Sequence, residues 1–122
     1  MFDDRSPIYR QIADQIKDDV LRGVLAADEQ VMSTNQYAAY YRINPATAAK
    51  AFQQLVDEGV IYKRRGVGMF VTAGAQARLR DGRRERFFAE VLEPMAAEAR
   101  ALGIAAADIV ARIHQLIPGD SR

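Results

Sequence analysis

Ala46, Ala49, Lys50 and Gln53 stand at i, i+3, i+4 and i+7, the spacing of one face of a helix. Two methyls, an amine and an amide on such a face suit one kind of contact. A helix entering a DNA major groove, about 12 Å wide, needs a slim leading edge. The alanines can lie against thymine methyls, Gln53 can pair with adenine, and Lys50 can reach guanine or phosphate. Further along, Lys63, Arg64 and Arg65 sit beside Gly66 and Gly68. Cations flanking a tip without side chains suit the narrower minor groove. Ser33 and Thr47 add hydroxyls at two helix starts, whose free N–H groups can meet phosphates.

Catalytic chemistry finds no such grouping. His114 is the only histidine, so no metal pair can form around it, and its place on the flank of an amphipathic helix suits a structural role. Ser33 has no neighbouring base to activate it, and a capping role accounts for it. Asp18–Asp19 and Asp28–Glu29 lie among polar neighbours that imply no apolar pocket to shift a carboxyl. Cysteine is absent, which removes thiolate sites and disulfides. No cofactor, metal or enzymatic role is expected.

The elements that must hold these residues can be read from caps and periodicity. Ser6 as N-cap and Pro7 at the first helical position open a helix whose stripe is Ile8, Ile12, Ile16 and Val20, stopped by Gly23. After an extended link through Val31, Ser33 and Gln36 form the capping box of a two-turn helix with Tyr37, Ala38 and Tyr41 inward. Arg42-Ile43-Asn44 make a turn, Asn44 caps, Pro45 follows, and a third helix runs to Gly59 with Ala48, Ala51, Phe52 and Leu55 inward. A short helix, a tight turn and a longer helix with a small polar face are the helix-turn-helix pattern. Val60-Ile61-Tyr62 and Met69-Phe70-Val71-Thr72 around the glycine pair read as a β-hairpin. No helix follows Gly66 and Gly68 directly, so a phosphate-cradling nucleotide loop is the poorer reading.

Beyond Gly74, Phe88, Val91, Leu92, Met95, Ala99 and Leu102 keep a helical period until Gly103. Pro94 should bend that helix near Glu90. A second short helix spans Asp108 to Ile117, with Ile109, Ile113 and Leu116 inward. Two helices in so short a tail cannot bury both stripes on each other, so a second copy of the chain is the expected cover. The fold class is therefore mostly α with a small β-hairpin: a DNA-binding domain over residues 6–74 and a helical dimerisation tail over 75–118.

Composition agrees. The 122 residues are 49% apolar, enough for one small domain and an appendage. The net charge of +1 conceals local patches: residues 1–32 sum to −3 and residues 33–74 to +3. Arg78, Arg80, Arg83, Arg84 and Arg86 crowd together after that. A polyanion responds to such patches more than to the total. No apolar run approaches the roughly 18 residues of a membrane span. With Asp3 and Asp4 at an acidic start, the expectation is a soluble cytoplasmic protein without a membrane role.

Three stretches carry a family resemblance: "PIYRQIADQIKDDVLRG" from Pro7, "MSTNQYAA" from Met32 and "INPATAAKAFQQLVDEGVIYKRRGVGMFV" from Ile43. In this order and spacing they resemble the GntR superfamily of bacterial transcription regulators, and the short helical tail resembles its YtrA-like branch. The resemblance implies a winged helix that meets operator DNA through the starts of its second and third helices and its wing tip. Here those are Ser33, Asn35, Asn44, Pro45, Ala46, Thr47, Lys50, Arg65, Gly66 and Gly68. It also implies homodimers. Many relatives carry arginine where Asn35 and Pro45 stand, and glycine where Arg42 stands.

The expected function is sequence-specific binding of double-stranded DNA as a homodimeric repressor. The competing reading is a winged-helix module that docks to protein, for which Lys50 and Gln53 are poor anchors. A small apolar effector, if one acts, is expected between the tail and the first domain or at the dimer seam.

Overall fold

The computed structural model describes residues 2–119, and it shows two of the three helix caps read from the sequence. Helix α2 (Thr34–Tyr41) begins at Ser33, whose Oγ accepts the Gln36 N–H at 3.1 Å while the Ser33 N–H donates to Gln36 Oε1 at 3.0 Å. Helix α3 (Pro45–Asp57) begins at Asn44, whose Oδ1 accepts the Ala46 N–H at 2.8 Å. It stops at Asp57, a little short of the expected Gly59. Helix α1 (Ile8–Leu21) departs from expectation at its start: Pro7 is the N-cap and Ser6 makes no cap. Gln11 ties the preceding segment to the helix by donating to the carbonyls of Asp3 and Ser6 at 2.7 Å, without capping the first turn. One residue further out, the Ser6 hydroxyl is too remote to serve the first turn.

The three helices share one core. Ile12, Ile16 and Val20 of α1, Tyr37 and Ala38 of α2, and Ala48, Ala51, Phe52 and Leu55 of α3 are all buried. Each large apolar side chain so buried contributes about 1.5–3 kcal/mol. That stripe sets the rotation of α3 about its own axis, so its opposite face must look outward.

Strands β1 (Ile61–Arg64) and β2 (Gly68–Val71) pair antiparallel, with Ile61 opposite Val71, Tyr62 opposite Phe70 and Arg64 opposite Gly68. Ile61 and Val71 are buried in the shared core, and the Tyr62 and Phe70 rings stack at 5.8 Å between centroids. The link before α2 does more than connect. Its Val31 N–H donates to Met69 O at 2.8 Å, and Glu29 O accepts the Val71 N–H at 2.9 Å, so it widens the sheet with a short antiparallel bridge on the edge of β2 opposite β1.

The described residues form two compact units, 2–82 and 83–119. The division falls inside helix α4 (Ala75–Phe87), later than the glycine at 74. Ala75 is buried with the first core, Gln76 Nε2 donates to Leu21 O at 3.0 Å, and Arg78 Nη2 donates to Gly59 O at 2.6 Å. The two-helix tail expected from the sequence thus gains a third helix, which went unseen because its arginine-rich sequence has almost no apolar period. A π-helical turn (Phe88–Leu92) follows, then α5 (Glu93–Ala101) and α6 (Ala106–Leu116). The interruption lies where Pro94 was expected to bend the chain. Pro94 is the second residue of α5, directly after the π-helical turn, and its missing N–H and its ring against the carbonyl four residues back account for the wider turn before it.

Candidate nucleic-acid interface

Ala46, Ala49, Lys50 and Gln53 are exposed, while Ala48, Ala51, Phe52 and Leu55 between them are buried. The outward face of α3 is therefore the slim one. Gln53 is not loose on it: Nε2 donates to Asp57 Oδ1 at 2.9 Å, which aligns the amide along the helix. Lys50 bends toward α1, its Nζ lying 4.1 Å from the centre of the Tyr9 ring. Thr47 is half-buried, and Asn44 and Pro45 are exposed at the helix start.

At the start of α2, Ser33 and Asn35 are exposed, and the Ser33 hydroxyl is engaged by its capping bond. The turn from α2 to α3 passes through Arg42 at φ 55° and ψ 49°, a left-handed conformation that glycine takes without strain. Arginine adopts it nonetheless. Its backbone N–H and that of Ile43 close the helix onto the Ala39 and Ala38 carbonyls at 3.4 and 3.0 Å.

The hairpin tip is exposed from Lys63 to Val67. Arg64 does not point free: its Cζ stands 4.9 Å from the Phe70 ring centre, so its charge lies along the sheet. Arg65 and Gly66 form the outermost turn, and among the described residues nothing beyond Gly66's own chain neighbours lies within 4 Å of where a Gly66 side chain would begin. Gly68 is held differently. Its φ is +145°, and a Cβ there would stand 2.5 Å from Gln30 Nε2. The Tyr62 hydroxyl donates to Asp28 Oδ1 at 2.8 Å, tying the first strand to the same link. That bond, followed by burial, raises the Tyr62 phenol above its ordinary range.

Tyr9 and Gln30 were not among the residues picked from sequence, and Asp28 was weighed there only as half of a carboxylate pair. None lies on a periodic outward face, and each gains its place from a neighbouring element. The chemistry of the region is cationic and hydrogen-bonding. Among the described residues no group of histidine, aspartate and glutamate could hold a metal ion. No helix of the described residues is long and apolar enough to cross a membrane.

In the second unit, Phe88, Val91, Leu102 and Leu116 are 60%, 52%, 66% and 75% exposed, and Leu92 and Ile113 are also exposed. Met95 and Ile109 are half-buried. Ala99, grouped with them from the sequence, is buried inside this unit and is not open to a partner.

Comparison with known proteins bears on this arrangement. Residues 8–71 match the family described as "Bacterial regulatory proteins, gntR family". The HTH-type transcriptional repressor YtrA of Bacillus subtilis is 33% identical over 64% of this chain, and the match spans 60% of the YtrA length. The structure of a transcriptional regulator from Oenococcus oeni superposes with a TM-score of 0.74 at 30% identity, covering 95% of each chain. The DNA-binding domain of AraR, solved in complex with operator ORX1, superposes with a TM-score of 0.55 at 25% identity over 59% of this chain and 93% of that one.

Proposed function

The chain belongs to the GntR family of bacterial regulatory proteins, and from that premise we propose that it is a cytoplasmic, sequence-specific DNA-binding regulator that represses transcription as a homodimer. The observation that carries the reading is the exposure of Ala46, Ala49, Lys50 and Gln53 on a capped helix whose other face is locked into the core. Large apolar anchors are missing from that face, which disfavours docking to a protein groove.

In this reading the α3 face enters the major groove. The starts of α2 and α3, with Ser33, Asn35, Asn44, Pro45 and Thr47, approach the backbone through helix N–H groups and small polar side chains. Arg64, Arg65 and the glycines of the hairpin reach the neighbouring minor groove. Residues 6–74 bind DNA and residues 75–118 hold the dimer. Phe88, Val91, Leu102 and Ile113 support the second half of this reading, because they leave an apolar face uncovered in the single chain.

A two-fold dimer requires a roughly palindromic operator with half-site centres about 34–36 Å apart, or a multiple of that. Selecting bound fragments from the source genome and footprinting them on both strands tests the whole proposal. Two protected half-sites related by symmetry are expected. One asymmetric contact, or no preference over bulk DNA, overturns it.

A further inference from the structure

Lys50 is the sole cation of α3, yet its side chain does not run straight out from the helix. Its ammonium lies over the face of Tyr9 on α1, 4.1 Å from the ring centre. Tyr9 is half-buried and packed against the core, so the ring is the fixed partner and the lysine the mobile one. Arg10 approaches the same ring more distantly, at 6.0 Å. An ammonium over an aromatic face at an exposed site favours that geometry by about two- to five-fold. Such a bias is enough to choose among lysine rotamers and too weak to prevent the charge from meeting an anion.

We propose that Tyr9 is a positioning residue that turns Lys50 away from the base edges and toward the phosphate backbone. The inference rests on the DNA-binding reading above and decides between the two contacts open to this lysine. Base edges lie on the groove floor, under the leading face of the reading helix, and phosphates lie along its walls. A side chain drawn sideways from α3 toward α1, which is outside the helix-turn-helix pair, leaves the floor for a wall. Lysine then acts as a point charge that sets register and adds affinity on any sequence. Reading of bases falls to Ala46, Ala49 and Gln53.

The test uses the full chain, a duplex fragment recovered by selection and a scrambled duplex of equal length, titrated across a range of salt. In the free protein, the Lys50 ε-methylene resonance should be shifted upfield by the ring in wild type and Tyr9→Phe, and should return to its ordinary position in Tyr9→Leu. Lys50→Met should weaken both duplexes by the same factor and lower the log–log salt slope by about one unit. Tyr9→Leu should weaken both by about two- to five-fold, and by almost nothing when Lys50→Met is already present. Tyr9→Phe should bind as wild type does. Equal losses from Tyr9→Leu with and without Lys50 would reduce Tyr9 to a packing residue. Loss of the preference for the selected duplex in Lys50→Met would make the lysine a base reader, and an unshifted ε-methylene in wild type would remove the stack; any of these overturns the proposal. Failure of wild type to prefer the selected duplex sinks the DNA-binding reading itself, which separates the two failures.

Discussion

Gln30 Nε2 donates to the Val67 carbonyl at 3.1 Å, so a side chain from the link before α2 holds the tip of the hairpin from beneath. The same amide fills the space beside Gly68, where a Cβ would come within 2.5 Å of it. Wing and link are therefore one mechanical piece. Gly68→Ala must expel Gln30 and hold a left-handed φ of +145° at once. We expect it to lower stability by about 1–3 kcal/mol in urea unfolding and to weaken DNA binding beyond what that loss explains. Gln30→Ala keeps the backbone free of strain and should cost only about 0.5–1.5 kcal/mol. Equal effects from the two would show that the backbone strain at Gly68 adds nothing beyond loss of the Gln30 brace.

Arg65 stands at the outermost turn of the wing. If it meets a phosphate, Arg65→Ala reduces the slope of log K against log salt by about 0.9. An unaltered slope in fluorescence titrations removes it from the contact set.

Arg42 holds its left-handed turn against the ordinary preference of a residue with a Cβ. Arg42→Gly relieves a cost of about 1–2 kcal/mol and restores chain freedom worth about 0.5–1 kcal/mol to the unfolded state. The net expectation is a gain of about 0.5–1 kcal/mol in denaturant midpoint analysis. Destabilisation would mean that the arginine side chain contributes more than its backbone costs.

Tyr37 is buried, and among the described residues its hydroxyl has no hydrogen-bond partner. Burial first, then Tyr41 and Asp19, push its phenol up to about 12. The folded chain keeps this proton where the unfolded chain has lost it, so stability is fully present below about pH 10 and falls as pH rises toward 12. Tyr37→Phe should be close to neutral at pH 7. Above pH 10 its unfolding free energy should fall less steeply than that of wild type, by a total of about 3 kcal/mol. Parallel pH profiles for the two proteins would contradict this.

Ile113 lies on the uncovered face of α6. Ile113→Glu should shift sedimentation from dimer to monomer and reduce operator affinity by about a hundredfold through loss of the second half-site. Sedimentation of wild type as a monomer at micromolar concentration would refute the dimer directly.

Much of this protein could be read before any coordinates. The capping box at Ser33 and Gln36, the Asn44–Pro45 start and the buried stripe from Ala48 to Leu55 each depend on residues within one helix, and all three stand in the structure. The outward placement of Ala46, Ala49, Lys50 and Gln53 followed from the stripe alone, since a helix that buries one side must show the other. Local chemistry was enough there. It failed at Ser6, which lies one residue outside a helix start that no side chain caps, and along Ala75–Phe87, where a helix with little apolar periodicity leaves no trace in the pattern.

What only the folded chain decided are the contacts between elements. Tyr9 under Lys50, Gln30 beneath Val67 and Arg64 over Phe70 each bring a side chain onto a group from another segment or another strand. Periodicity tells which side of an element faces the core. It does not tell which residue of a neighbour will lie beside a given charge, because that depends on how helices and strands settle against one another when the shared core closes.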